Sequence, residues 1–210
     1  MAVKTEYKFK PALLLSFLTP LYDLGGTFGS RKKLHEKILS QVVLKNNWKI
    51  LDVGCGTGED LILLNSRYPK VKLYGIDADS KILDIAKKKT RARRLNINFC
   101  AALAEKLPFK DNSFNAVWCS LTLHHLPTEY KKQALREMYR VLRPKGRCYL
   151  VVFSRPKNPI LAKIASIQNL FEHTKDNYEG KIPQFVKQAG FKQIKESKIW
   201  LHVSLIQAVK

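Results

Sequence analysis

The chain has 210 residues, 45% hydrophobic and 26% charged, a composition that fits one globular domain and excludes a disordered or fibrous chain. That length buries enough surface to fold without disulfides or a structural metal, and Cys55, Cys100, Cys119 and Cys148 are too widely spaced for a CxxC metal pattern. Thirty-eight Lys and Arg against 17 Asp and Glu give a net charge of +21, a field that attracts polyanions such as nucleic acid or an anionic membrane surface.

In chain order, the first apolar stretch is Ala12 to Leu18, bracketed by Pro11 and Pro20 and far short of the roughly 20 residues of a membrane span. Lys4, Lys8 and Lys10 precede it, but no small-residue cleavage site follows, so a secretory leader is not expected. Residues 1–30 are expected to form an apolar and basic lid or membrane-docking segment, with residues 31–210 as the folded domain. Cysteine usage predicts a reducing cytoplasmic setting.

Apolar runs rich in β-branched residues then alternate with segments of helical period, the pattern of a doubly wound α/β fold with a mostly parallel sheet. A strand at Lys49 to Val53 leads through glycines into a helix from Glu59 to Arg67, which stops before Pro69. Lys72 to Ile76 is the second strand. Asp79 or Ser80 caps the next helix, where Asp84 and Lys88 are placed to pair at i, i+4. Ile97 to Ala101 and Phe114 to Cys119 are the third and fourth strands. An amphipathic helix runs from Glu129 to Leu142 and ends at Pro144 and Gly146. Arg147 to Phe153 is the fifth strand. Weaker helices are predicted near Leu161 to Phe171 and Pro183 to Ala189, the second closed by Gly190. Phe191 to Lys210 reads as two strands forming a hairpin at the sheet edge.

The strongest local signal is Ile50-Leu51-Asp52-Val53-Gly54-Cys55-Gly56-Thr57-Gly58, a buried strand turning into a helix through alternate glycines. Such a turn brings backbone close to a ligand and aims free helix N–H groups at the crevice beyond the strand. The pattern is GxGxG; a dinucleotide fold, with hydride-transfer chemistry, would show GxGxxG. Asp52, at the end of a buried strand, needs a partner such as a ligand ammonium or its bound water. Asp77, closing the second strand, stands where a carboxylate accepts both hydroxyls of an adenosine ribose.

Together ILDVGCGTG, YGIDAD, AEKLPFKDNSFNAVWCSLTLHHL and LREMYRVLRPKGRCYLVV resemble the class I S-adenosylmethionine-dependent methyltransferases, over roughly Leu18 to Phe153. The resemblance is closest to the small-molecule branch with the ubiquinone and menaquinone C-methyltransferases and bacterial phospholipid N-methyltransferases. It implies a seven-stranded, mostly parallel Rossmann-like sheet with a C-terminal antiparallel hairpin, and S-adenosyl-L-methionine as cofactor. Asp52, Gly54, Cys55, Gly56 and Gly58 are thereby assigned to its methionine end, Asp77 to the ribose and Ala78 to the adenine. The family commonly has Asp four residues before the LPF; Leu103 stands there, so backbone of Leu103 and Ala104 must serve, at a loss of about 1 kcal/mol for the missing hydrogen bond. Cys119 and Ser120 are implied to face the sulfonium and the acceptor, and Tyr22, in an N-terminal lid, to reach toward the site.

Methyl transfer is an in-line displacement in which the protein chiefly aligns the reactants, so few catalytic residues are expected. If the acceptor must lose a proton, His124 or His125 is the candidate base. No partner base is legible for Cys55 or Cys119 as nucleophile. Basic clusters such as Lys87 to Arg94, with the apolar Leu13 to Leu18, fit docking on anionic lipid, from which a lipid-soluble small molecule enters. The expected substrate is therefore a quinone precursor or a phospholipid headgroup, with peripheral membrane attachment. RNA methylation is the alternative use of the basic surface, although no Asn/Asp-Pro-Pro-aromatic motif follows the fourth strand. Non-catalytic cofactor binding is a further alternative.

Overall fold

Uninterrupted apolar runs are what a parallel sheet covered on both faces demands, and the chain forms one. The computed structural model describes residue 34 and residues 36–154, 173–200 and 203–210. Seven strands, β1 (Lys49–Val53), β2 (Lys72–Asp77), β3 (Ile97–Ala101), β4 (Phe114–Ser120), β5 (Leu142–Phe153), β6 (Lys192–Trp200) and β7 (Val203–Val209), lie in the order β3-β2-β1-β4-β5-β7-β6. β1 to β5 are mutually parallel, while β7 pairs antiparallel with β5 and with β6, so the C-terminal hairpin completes one edge. The predicted sheet and hairpin are both present.

Strand periodicity divides the core in two. Leu51, Val53, Val117, Leu150 and Ile206 point to one face, where Leu135 and Met138 of helix α3 (Thr128–Val141) and Phe185 of α5 (Ile182–Gln188) cover them. Ile50, Ala116, Trp118, Tyr149 and Leu205 point to the other, against α1 (Glu59–Arg67) and α2 (Ser80–Ala92). On that side the segment before β1 is strapped down: the Tyr149 hydroxyl donates to the Val43 carbonyl at 2.9 Å and Tyr68 donates to that of Val42 at 2.7 Å.

Local chemistry sets the helix ends. Asp79 caps α2, its carboxylate accepting the Lys81 N–H at 2.9 Å. Asp84 pairs with Lys87 at 3.5 Å, at i, i+3, in place of the expected Lys88; both partners are exposed, and either spacing serves on a helix surface. α3 stops at Val141, a residue before the expected end, because Leu142 already pairs with Phe114 in the sheet. The ladder then shifts register before Arg147, across the stretch holding Pro144 and Gly146. Arg140 ties this corner, donating to Glu137, Asp111 and the carbonyls of Leu107 and Phe109.

A short helix α4 (Lys175–Tyr178) precedes α5, which Gly190 closes at φ 104°. The helix expected near Leu161 to Phe171 and the segment expected over residues 1–30 lie outside the described residues. Among the described residues, no helix is long and apolar enough to cross a membrane.

Met138 is fully buried between α3 and the sheet. Met138→Ala is expected to cost about 2–5 kcal/mol by loss of buried surface and cavity formation. Urea unfolding would read this as a lower midpoint with an unchanged slope.

Candidate functional site

The order of strands reverses at β1: the chain winds outward through β2 and β3, then returns to place β4 on the other side. Open sheets of this kind form a crevice at that reversal, beyond the carboxyl ends of the strands. Here it is a cavity of about 400 Å³.

The turn after β1 builds its floor. Gly54 and Cys55 both donate their N–H to the Ile76 carbonyl at 2.9 Å. Gly54 has φ 73°, and a Cβ there would lie 2.3 Å from the Thr122 side chain. The Thr122 hydroxyl lies 3.2 Å from the Gly54 carbonyl and 3.0 Å from that of Ser120, locking the loop after β4 against the loop after β1. Gly56, at φ 52°, has nothing within 4 Å of its would-be Cβ, so its backbone borders open space.

Three carboxylates converge on this floor. Asp52 is 1% exposed, and among the described residues neither of its oxygens has a hydrogen-bond partner. Burial pushes its pKa well above the usual carboxylate range, and the nearby charges of Asp60 and Asp77 push the same way. Asp60 accepts the Trp118 indole N–H at 2.9 Å. Asp77 accepts the N–H of Gly56 and that of Asp79, each at 3.0 Å. Burial raises its pKa too, and those backbone bonds partly offset the shift. At the rim, Lys89 bridges Glu59 at 2.6 Å and Thr57 at 3.2 Å, holding the glycine turn to α2.

Asp52, Gly54, Cys55, Gly56, Asp77, Ala78, Leu103, Ala104, Ser120 and His125 all line the cavity. Three other candidates do not. Gly58 packs its backbone toward α2, with a would-be Cβ 3.3 Å from the Ala86 methyl carbon, which makes it a helix-packing position. Cys119 is 1% exposed in the core, since alternation along β4 turns it away from the face that Ser120 borders. His124 is buried, its ring 4.7 Å from that of Phe153 and 4.0 Å from that of His125. The two histidine rings of the 3₁₀ turn Leu123–His125 pack against each other, and of the pair only His125 lines the cleft. Tyr22 lies outside the described residues.

Burial drives the pKa of Cys55 and Cys119 upward, leaving neutral thiols. It lowers that of His125, with a further push from His173, so the imidazole is neutral at pH 7. Sequence reasoning missed Asp60, Thr122 and Ile82 as cleft residues. Asp60 carried only the signal of an acidic residue in a first helical turn.

Comparison with known proteins points the same way. A family model described as a methyltransferase domain matches residues 50–146. A demethylmenaquinone methyltransferase of Chlorobaculum parvum is 32% identical, the match covering 84% of this chain and 79% of the relative. One from Deinococcus radiodurans is 31% identical, covering 76% and 66%. A SAM dependent methyltransferase from Aquifex aeolicus has the same fold, with a TM-score of 0.71 at 23% identity, covering 91% of this chain and 97% of that one. The chain spans 66%, 66% and 46% of the lengths of the Deinococcus radiodurans, Thermus thermophilus and Bartonella quintana relatives.

S-adenosyl-L-methionine fits what the cleft lacks. A buried carboxylate with two unpartnered oxygens is costly alone and is relieved by a cationic group, and this cofactor carries an ammonium and a sulfonium.

The raised pKa of Asp52 fixes the sign of a pH effect. Below the unfolded value, about 4, the carboxyl is protonated in both states and costs nothing extra; as pH rises through the folded value, stability is lost. Asp52→Asn is therefore expected to raise the melting temperature of the cofactor-free protein at pH 8 by a few degrees, the gain vanishing near pH 4. The same variant should bind S-adenosyl-L-methionine about tenfold or more weakly in calorimetric titration.

Proposed function

The chain belongs to the class I S-adenosylmethionine-dependent methyltransferases related to the menaquinone and ubiquinone C-methyltransferases, and we propose that it methylates a lipid-soluble quinol precursor. The observation that carries the substrate class is the likeness to the Chlorobaculum parvum demethylmenaquinone methyltransferase over 79% of that protein. The cleft mouth supports it, because Leu121 and Leu126 flank His125 and present apolar surface to an acceptor.

When bound, S-adenosyl-L-methionine supplies an electrophilic methyl group on a positively charged sulfur. The rest falls to the chain's own side chains. Asp52, Asp60 and Asp77, which all line the cavity, give it an acidic floor that draws in a cation. Asp77, oriented by the Gly56 and Asp79 N–H groups, keeps lone pairs for ribose hydroxyls. Leu103 and Ala104, which line the cavity, would border the adenine. His125, neutral at pH 7, takes the proton of an acceptor hydroxyl and so makes the ring carbon beside it more nucleophilic. The basic surface, with the apolar residues 12–18, holds the protein against anionic lipid, where such acceptors dissolve.

The test is transfer of labelled methyl from S-adenosyl-L-methionine into a cell extract split into organic, aqueous, RNA and protein fractions. Label is expected in the organic phase, and label confined to RNA would overturn the reading. With demethylmenaquinol, His125→Ala should lower kcat by about 10²–10⁴-fold while leaving cofactor affinity unchanged. The wild-type rate should rise with pH to a plateau as His125 loses its proton, below the usual imidazole value of about 6.5, and the variant should lack that limb.

A further inference from the structure

The five parallel strands all begin at one end of the molecule, and antiparallel β7 finishes there, opposite the cleft. The connections at this end touch one another: the Asn47 N–H donates to the Lys70 carbonyl at 2.8 Å, and the Lys145 N–H to that of Lys210 at 3.1 Å. Strands β1 and β2, of five and six residues, hold the end about 15–20 Å from the crevice. A bilayer that delivers an acceptor to the cleft mouth, as proposed above, lies on the other side, so this end faces away from it.

Its charge is of one sign. Lys45, Lys70, Lys72, Arg93, Arg94 and Lys145 are all exposed here. In the last turn of chain before each of β1 to β5 the single acid is Asp111, which pairs with Arg140 at 2.7 Å. Cations at a helix C-terminus complement its dipole, which accounts for Arg91 and Arg93 at the end of α2 but not for Lys72, the first residue of β2. Arg94 follows α2 at φ 55°, the left-handed position that helices most often fill with glycine, so a cation stands there against the backbone preference. Two adjoining hollows, of about 540 and 370 Å³, share Leu95, Asn96 and Asn98 at the start of the edge strand β3. Lys72, Arg94 and the half-buried Tyr74 line the first, Lys87, Arg91 and the half-buried Phe99 line the second, and neither is lined by an acid. Among the described residues, Lys72, Arg91 and Arg94 have no ion-pair partner, and the side-chain amides of Asn96 and Asn98 make no hydrogen bond.

We propose that this end is a docking surface for single-stranded nucleic acid, whose phosphates pair with Lys72, Arg91 and Arg94 while its bases rest in the two hollows. Phosphate contacts position such a strand, and amides and ring edges between the cations receive its bases. Asn96 and Asn98 offer both donors and acceptors to base edges and sugar hydroxyls. A lipid-docking face instead pairs its cations with apolar side chains that insert, and none of the exposed large apolar residues Val43, Ile85 and Trp200 lines the hollows. The strand is a partner and not the methyl acceptor, because it lies at the opposite ends of the strands from the cleft. The inference therefore stands whichever acceptor the cleft takes.

The probes are a fluorescein-labelled RNA of about 12 nucleotides and its DNA counterpart, titrated by anisotropy against the full chain over a range of salt concentrations. Saturable binding is expected at about 0.15 M salt, weakening as salt rises, and the tighter of the two probes names the natural strand. The triple variant Lys72→Glu, Arg91→Glu, Arg94→Glu should bind at least about tenfold more weakly with a shallower salt dependence, its unchanged S-adenosylhomocysteine affinity showing that it folds. The same charge change at the cleft end, Lys81→Glu, Lys106→Glu, Lys175→Glu, should cost less than about threefold, since it lies beyond the screening length. Asn96→Ala with Asn98→Ala should weaken binding about fivefold at an unchanged salt dependence. The proposal is overturned by a lack of saturable binding, by equal losses in the two charge variants, or by a first variant that keeps nucleic-acid binding and no longer sediments with phosphatidylglycerol vesicles.

Discussion

Asp52 sits near the carboxyl end of β1, between Leu51 and Val53, which are both fully buried, and among the described residues neither of its oxygens has a partner. A hydrophobic residue there would make a more stable sheet, since the carboxylate carries a desolvation cost that no hydrogen bond offsets. Asp60 and Asp77 increase that cost instead of relieving it. Much of the surrounding structure holds this arrangement in place. Trp118 anchors Asp60, the Gly56 and Asp79 N–H groups fix Asp77, Thr122 clamps the two loops, and Lys89 ties the glycine turn to α2. The fold accepts local instability at one point and surrounds it with bonds that prevent relaxation.

The backbone was largely legible in the sequence, and the side-chain directions were not. A strand buried on both faces writes a continuous apolar run, so β1 and β4 could be placed to within a residue, and Pro69, Asp79 and Gly190 marked helix ends by known backbone chemistry. The same double burial erases the alternation that would tell one face from the other. Cys119 and Ser120 therefore looked equivalent, although only Ser120 borders the cleft. His124 and His125 posed the same problem in a 3₁₀ turn. Residues recruited from outside the glycine motif, such as Asp60 on α1 and Thr122 after β4, join the site only through tertiary contacts.

The charge of +21 also divides once contacts are known. Some cations work inside the fold. Lys131 is fully buried against Asp176, Arg140 fastens the loop before β4 to α3, and Lys210 reaches Asn112 and the Arg140 carbonyl. Even Lys89, from the densest basic run, is engaged with Glu59. Others, including Lys88, Arg91, Arg93 and Arg94, stand exposed at the end of α2, on the side of the molecule away from the cleft, and supply a field to solvent. Inside that positive exterior the cleft itself is acidic, so the molecule presents opposite signs to a large anionic surface and to a small cation.

That inversion bears on turnover. Losing its methyl group converts a sulfonium into an uncharged thioether, while the ammonium at the other end of the molecule keeps its charge. Asp52, Asp60 and Asp77 then attract one positive charge where they had attracted two. The electrostatic attraction of these carboxylates for the sulfur therefore favours the charged donor over its thioether remnant.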